Sequence, residues 1–86
     1  DLQSAHANLG LVMDRLRKPD QAIEHWRDAL KLDPADTASR ALLASALLGK
    51  RQYDEAVGHY QQVVKQSPKD ARSYNNLGFA YEKQGK

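Results

Sequence analysis

The sequence contains no cysteine, which excludes a disulfide framework, a thiolate metal site and a cysteine nucleophile while saying nothing about compartment. Bulky apolar material is scarce: one Trp, one Phe and one Met, with aromatics at 7% of 86 residues. No apolar run approaches the roughly 20 residues of a membrane span; the longest, Ala41 to Leu48, is interrupted by Ser45. Neither sign of charge dominates, since 13 Lys and Arg against 11 Asp and Glu leave a formal +2. That excess is too small to point to nucleic acid. Phosphate-cradling strings such as GxGxxG and Walker A are missing, as is GxSxG, and Ser39, Ser45, Ser67 and Ser73 have no histidine and carboxylate expected to converge on them. An enzyme is therefore not expected, and no cofactor is implied. What remains, 41% hydrophobic and 28% charged residues, describes a small, ordered, soluble domain. Because the sequence opens at Asp1 with neither an initiator Met nor a leader-like segment, it is expected to come from a longer polypeptide.

What the sequence has is a period. Shifted by 34, it aligns 52 pairs, and 12 are identical: Ala7, Leu9, Arg17, Asp20, Ala22, His25, Lys31, Pro34, Asp36, Ser39, Leu43 and Ala46 each recur. Chance gives roughly three or four. His6-x-x-Leu9-Gly10-x-x-Met13, Ala22-x-x-x-Trp26 and Pro34 are followed by Arg40-x-x-Leu43-Ala44-x-x-Leu47, Ala56-x-x-x-Tyr60 and Pro68. A third copy opens as Tyr74-x-x-Leu77-Gly78-x-x-Tyr81.

This ladder resembles the tetratricopeptide repeat, a 34-residue helix–turn–helix unit with a large residue, Leu-Gly and an aromatic on its first helix, then Ala, an aromatic and Pro. The resemblance covers nearly the whole chain and divides it into repeat one at 3–36, repeat two at 37–70 and a half repeat at 71–86. The departures are His6 and Arg40 at the large position, Ala44 for glycine, and Met13 and Leu47 for the aromatic. All but His6 and Arg40 keep the packing character.

Periodicity alone leads to the same all-α fold. Ala22, Ile23, Trp26, Ala29 and Leu30 form one helical stripe and Ala56, Val57, Tyr60, Val63 and Val64 another. Asp36 and Asp70 stand where a carboxylate can cap a helix start, and Pro19, Pro34 and Pro68 are expected between helices. Helices are predicted near 3–16, 20–32, 37–49, 54–66 and 71–84. Gly10, Ala44 and Gly78, with Ala22 and Ala56, are the small residues that let helices approach. Gly58 interrupts a good helix former run without a reason visible in the sequence.

The resemblance implies a superhelix whose groove is lined by the first helix of each pair. On the faces turned from the Leu-Gly stripe it points to Ser4, Ala7, Asn8, Leu11 and Asp14; Ala38, Ala41, Leu42 and Ser45; and Arg72, Asn75, Asn76 and Phe79. Within the family, a clamp of lysines, asparagines and an arginine grips the acidic tails of chaperones. The matching positions are Ala7, Leu11, Leu42, Arg72 and Asn76, where only Arg72 carries charge, so this ligand is not expected. Asn8 and Asn76 match a second family device, an asparagine ladder that reads a peptide backbone, although Leu42 interrupts it.

Three readings compete. The leading one is a protein–protein interaction scaffold that holds a partner segment in the groove. The second is a spacer or self-assembly element acting through Tyr74, Leu77 and Tyr81, which lack the helix that would cover them in a complete third repeat. The third is recognition of an anionic polymer along an edge formed by Arg15, Arg17, Lys18, Lys50, Arg51, Lys83 and Lys86; the simpler account is that these cations stabilise helix C-termini. His25 and His59 are equivalent by the period but lie on different helices, with no second ligand at i+4. They are expected to be solvated, and no metal is expected. Nucleic acid and membrane insertion are not expected either. About three repeats are normally needed for a stable stack, so the open C-terminal end is expected to carry an interaction.

Overall fold

The structure is a computed structural model in which residues 1–85 are described. It contains five helices, α1 (Leu2–Arg15), α2 (Pro19–Leu32), α3 (Thr37–Gly49), α4 (Tyr53–Gln66) and α5 (Ala71–Lys83), and no strand among the described residues. All five predicted helices are present, each boundary within one residue of its expected place. The small differences have local causes. Asp1 caps α1, its carboxylate accepting from the Ser4 N–H at 2.8 Å, so that helix begins at Leu2. Pro19, expected between helices, is instead the first residue of α2, where its missing N–H interrupts no ladder. Asp36 and Asp70 cap α3 and α5 as expected, accepting from the N–H of Ser39 at 3.0 Å and of Ser73 at 3.3 Å. Each also accepts from the serine hydroxyl three residues on, which seals a buried polar atom.

The turn after each first helix passes through the left-handed region at Arg17 (φ 59°), Arg51 (φ 64°) and Gly85 (φ 79°). These positions are 34 apart, so the period is written in the backbone as well as in the side chains.

The helices form a layered stack, with α2 packed between α1 and α3 and α4 between α3 and α5. The molecule measures 38 × 25 × 18 Å. Ala22, Ile23, Trp26 and Leu30 of α2 meet Leu43, Ala44 and Leu47 of α3, which meet Ala56 and Tyr60 of α4. Burying each large side chain contributes about 1.5–3 kcal/mol. The two stripes read from the sequence are this core, with only Val64 partly exposed.

Small residues act unequally. The Trp26 indole lies on Gly10, where an added Cβ would sit 2.6 Å from its Cδ1. Ala44, at the same repeat position, is wholly buried. At Gly78 an added Cβ would meet nothing within 4 Å, because no second helix covers this face of α5. The other end is open too: Leu9 is 40% exposed, whereas its equivalent Leu43, with α2 beside it, is 1% exposed. Gly58 also faces open space, and nothing in the packing explains it.

Candidate functional site

Residues of α3 and α5 meet in one depression of about 540 Å³, lined by Ala38, Ala41, Leu42, Ser45, Tyr60, Asp70, Arg72, Ser73 and Asn76. Six of these, Ala38, Ala41, Leu42, Ser45, Arg72 and Asn76, are groove residues expected from the sequence. Ser45 also borders two neighbouring depressions. One, about 350 Å³, joins it with Leu42 to Asp14 of α1, Trp26 and Lys50. The other, about 620 Å³, joins it to Leu48, Arg51, Tyr53, Phe79 and Lys83. Ser45 thus borders all three depressions.

The remaining expected groove residues are arranged differently. Ser4 and Asn8 are exposed, Leu11 is 36% exposed and Ala7 is partly buried, but none of them lines these depressions. Asn75 stands about 100° round α5 from Asn76; it is exposed and lines none of these depressions. Phe79 is 46% exposed, and the Lys83 ammonium lies 5.3 Å from the centre of its ring, a cation–π contact.

Sequence reasoning missed Tyr60 as part of the site, because its place on an apolar stripe reads as core. It is core, at 1% exposed, yet its hydroxyl reaches the depression floor and accepts from Asn76 Nδ2 at 3.1 Å. Burial pushes the Tyr60 pKa up, with hydrogen bonds to Ser45 and Asn76 acting the other way, so the phenol stays neutral at physiological pH. This contact fixes the Asn76 amide, turning what the sequence suggested was a free ladder residue into a pre-oriented one.

The face of α5 beside the groove carries Tyr74, 47% exposed, together with partly buried Leu77 and Tyr81. The Tyr81 hydroxyl accepts from Gln61 Nε2 at 2.6 Å, which anchors it to α4, while Tyr74 is the most open of the three.

The expectation that His25 and His59 are solvated does not hold. His25 Nδ1 lies 3.2 Å from His6 Nδ1, and His59 Nδ1 lies 3.2 Å from Arg40 Nη1, the same contact one repeat later. The side chain of His59 is only 20% exposed. Its pKa is lowered, first by burial and then by the Arg40 charge. A guanidinium can only donate, so Nδ1 of His59 accepts and the imidazole is neutral. Glu55 sits 3.7 Å from its Nε2 and is paired with Arg27, which holds the Glu55 carboxyl below its usual range. His6 and Arg40, departures from the large apolar residue of the repeat, are therefore half of a recurring polar contact. Among the described residues no group of three or more His, Asp or Glu side chains is arranged to hold a metal ion.

The basic edge divides into separate local arrangements. Lys50 is bonded to Asp20, Lys83 covers Phe79, and Arg15 lies in the last turn of α1. Lys86 lies outside the described residues. No helix is long and apolar enough to cross a membrane among those described.

Sequence profiles of the tetratricopeptide repeat match residues 3–36, and those of a TPR repeat match residues 46–85. The chain belongs to the tetratricopeptide repeat family. Solved structures share the fold. YrrB, described as a TPR protein with an unusual peptide-binding site, is 26% identical at a TM-score of 0.91, covering 99% of this chain and 44% of that one. MamA is 23% identical at 0.90, covering 96% and 45%. The second TPR of Spaghetti (RPAP3), bound to the HSP90 peptide SRMEEVD, is 21% identical at 0.91, covering 99% and 79%. This TPR chain spans a little under half the length of MamA and YrrB. No curated protein matches it. TPR repeats serve generally as non-enzymatic scaffolds for protein–protein interaction, and this all-α stack is a protein–protein interaction module.

Proposed function

We propose that the chain holds an extended segment of a partner protein along the side formed by α1, α3 and α5. The observation that carries this reading is the joint lining of one depression by small apolar residues of α3 and by Arg72 and Asn76 of α5. Ala38, Ala41 and Ser45 leave room for a peptide backbone, and Leu42 and Phe79 offer apolar contact beside it. With Nδ2 of Asn76 committed to Tyr60, its amide oxygen is the atom left to accept from a backbone N–H. Arg72 supplies a donor for a carbonyl or carboxylate. Asn8, Leu11 and Asn75 flank this centre. The peptide-binding site of YrrB supports the same use of the fold. The acidic peptide held by the Spaghetti domain is not carried over, since Ala7, Leu11 and Leu42 stand where clamp side chains would be needed.

The test is peptide selection from a random library on the purified chain, repeated with Ser45→Arg. Selected peptides should lose binding to the variant while its unfolding midpoint stays within about 2 °C, as for an exposed surface change. Equal binding to both proteins removes the groove assignment.

A second reading is self-association through α5, with a second copy of the chain as occupant. Open space over Gly78 beside exposed Tyr74 favours it. Two α5 helices paired antiparallel about their midpoints would bring Tyr74 of each toward Tyr81 of the other across Gly78, a self-complementary pattern suited to a two-fold axis, with Leu77 kept against its own core.

A further inference from the structure

On the side of α3 opposite the groove, Arg27, Leu30 and Lys31 of α2, Arg40 and Leu43 of α3, and His59 of α4 line a depression of about 260 Å³. Arg40 is 200° round the helix from Ala38, at 100° per residue, so it shares nothing with the peptide groove. We propose that this depression is an anion site that takes a single oxyanion group, carboxylate or phosphate, with Arg40 as its principal ligand.

Arg40 carries the argument. Its Nη2 donates to the Pro34 carbonyl at 3.0 Å and its Nη1 to His59 Nδ1 at 3.2 Å, both neutral acceptors. Its Nε is buried and has no hydrogen-bond partner, and among the described residues no carboxylate lies within 4.0 Å of the guanidinium. A partly buried guanidinium without a counterion is an unfavourable arrangement that an oxyanion relieves, since the planar fork matches two oxygens at once.

The surroundings are suited to one small anion. Arg27 is held by both oxygens of Glu55, and the Lys31 ammonium is 3.9 Å from Asp28, so neither is a bare cation. Glu24 also acts on Arg27, so of the three cations it is Arg40 that has no carboxylate within 4.0 Å among the described residues. Leu30 and Leu43, 9% and 1% exposed, form an apolar floor that limits screening. Lys31, 79% exposed, can swing over an occupant. The volume admits an anionic group and the first atoms of its chain, which separates this site from polymer binding along the helix-end cations. Repeat one has no counterpart, because His6 stands at the position of Arg40.

Occupancy and protonation of His59 are coupled. Burial, Arg40 and Arg27 disfavour the imidazolium, while Glu55 on the same helix favours it. An oxyanion beside Arg40 offsets the cationic influence of Arg40 and Arg27 on His59. A carboxylate occupant, whose own charge is constant there, therefore binds more tightly as pH falls below about 6.5, and binding raises the His59 pKa.

The test is an NMR titration of the intact chain, following the Arg40 Nε–H and His59 ring signals, with inorganic phosphate in one arm and the tripeptide Glu-Glu-Asp in the other at constant ionic strength. The expected result is a saturable shift at both residues and a raised His59 pKa. Arg40→Gln should abolish it, Lys31→Gln should weaken it several-fold, and Ser45→Arg should leave it unchanged. Because Lys31 is exposed, that variant reports on the site even if Arg40→Gln fails to fold. Tighter binding of the tripeptide assigns the anion to a partner's acidic side chain, and tighter binding of phosphate assigns it to a free ion; both support the site. Shifts that do not saturate, that appear equally at Arg15, Arg17 and Arg51, or that are unchanged in Lys31→Gln overturn it.

Discussion

The indole of Trp26 occupies the space that a side chain on Gly10 would need, with Cδ1 2.6 Å from where a Cβ would stand. The equivalent glycine of the third copy, Gly78, has nothing above it. One sequence position therefore carries two opposite substitution costs.

Gly10→Ala should destabilise the chain, since the displaced indole is wholly buried and rigid, by about 1–3 kcal/mol of overpacking less about 1 kcal/mol of helix propensity. Gly78→Ala and Gly58→Ala should each stabilise by up to about 1 kcal/mol, because both glycines lie inside helices with open space around them. Urea denaturation of the three variants checks the signs. A stabilised Gly10→Ala contradicts the packing of Trp26.

Stability should fall as the solution is acidified, in two stages. His59 has a lowered pKa, so between its folded value and the ordinary 6.5 the unfolded chain binds more protons, and stability declines as pH falls below about 6.5. Glu55 is also lowered, by Arg27 first, so its contribution is present above about 4.5 and is lost as pH falls through the folded value. Thermal midpoints at pH 7.5, 6.0, 5.0 and 4.0 should show His59→Gln with a shallower decline over the first stage only. Parallel curves for the two proteins refute the buried, neutral His59.

Asp36→Ala should cost about 1–2 kcal/mol, the upper part of the range for a cap, because it also strips a partner from the buried Ser39 hydroxyl and from Gln3. Burial of Asp36 acts to raise its pKa, and hydrogen bonds from Ser39 and Gln3 outweigh it, leaving the carboxyl below its usual range. Asp70→Ala should cost less, since its cap is longer and no glutamine reaches it. Such losses correspond to about 4–8 °C in thermal midpoint per kcal/mol for a domain of this size. Equal midpoints for the two variants remove any contribution from Gln3.

If α5 pairs with its copy, sedimentation over a rising concentration series should show a dimer that Tyr74→Asp abolishes without loss of helicity. A strict monomer at high concentration removes self-association as a function.

The helices were legible because apolar residues recur at helical spacing and each aspartate precedes its helix. Pro19 was misplaced because proline suits a connection and a first helical turn equally well, and only the hydrogen-bond ladder separates them. The lining of the central depression was legible through the period, which carries Ala38 into register with Arg72 and Leu42 with Asn76. Asn8 and Asn75 fell outside it because the depression spans a narrow arc of each helix. The misreading of His25 and His59 has a different origin. A single-helix view puts them on the outer side, but the residue nineteen places earlier on the adjoining helix covers each. That offset, His6 to His25 and Arg40 to His59, was present in the sequence as two departures from the repeat pattern, each facing one of the period's matched histidines.

The empty space above Gly78 also gives the unfolding of the molecule a direction. In a stack where each layer is held only by its neighbours, α5 rests on α4, with slight contact to α3, while α3 is gripped from both sides. Backbone amides of α5 should therefore exchange with solvent deuterium through an opening that leaves α2 to α4 intact, at a lower free energy than their own release. The repeat would come apart like a ladder losing its last rung, and whatever settles on α5 would set the lifetime of that rung.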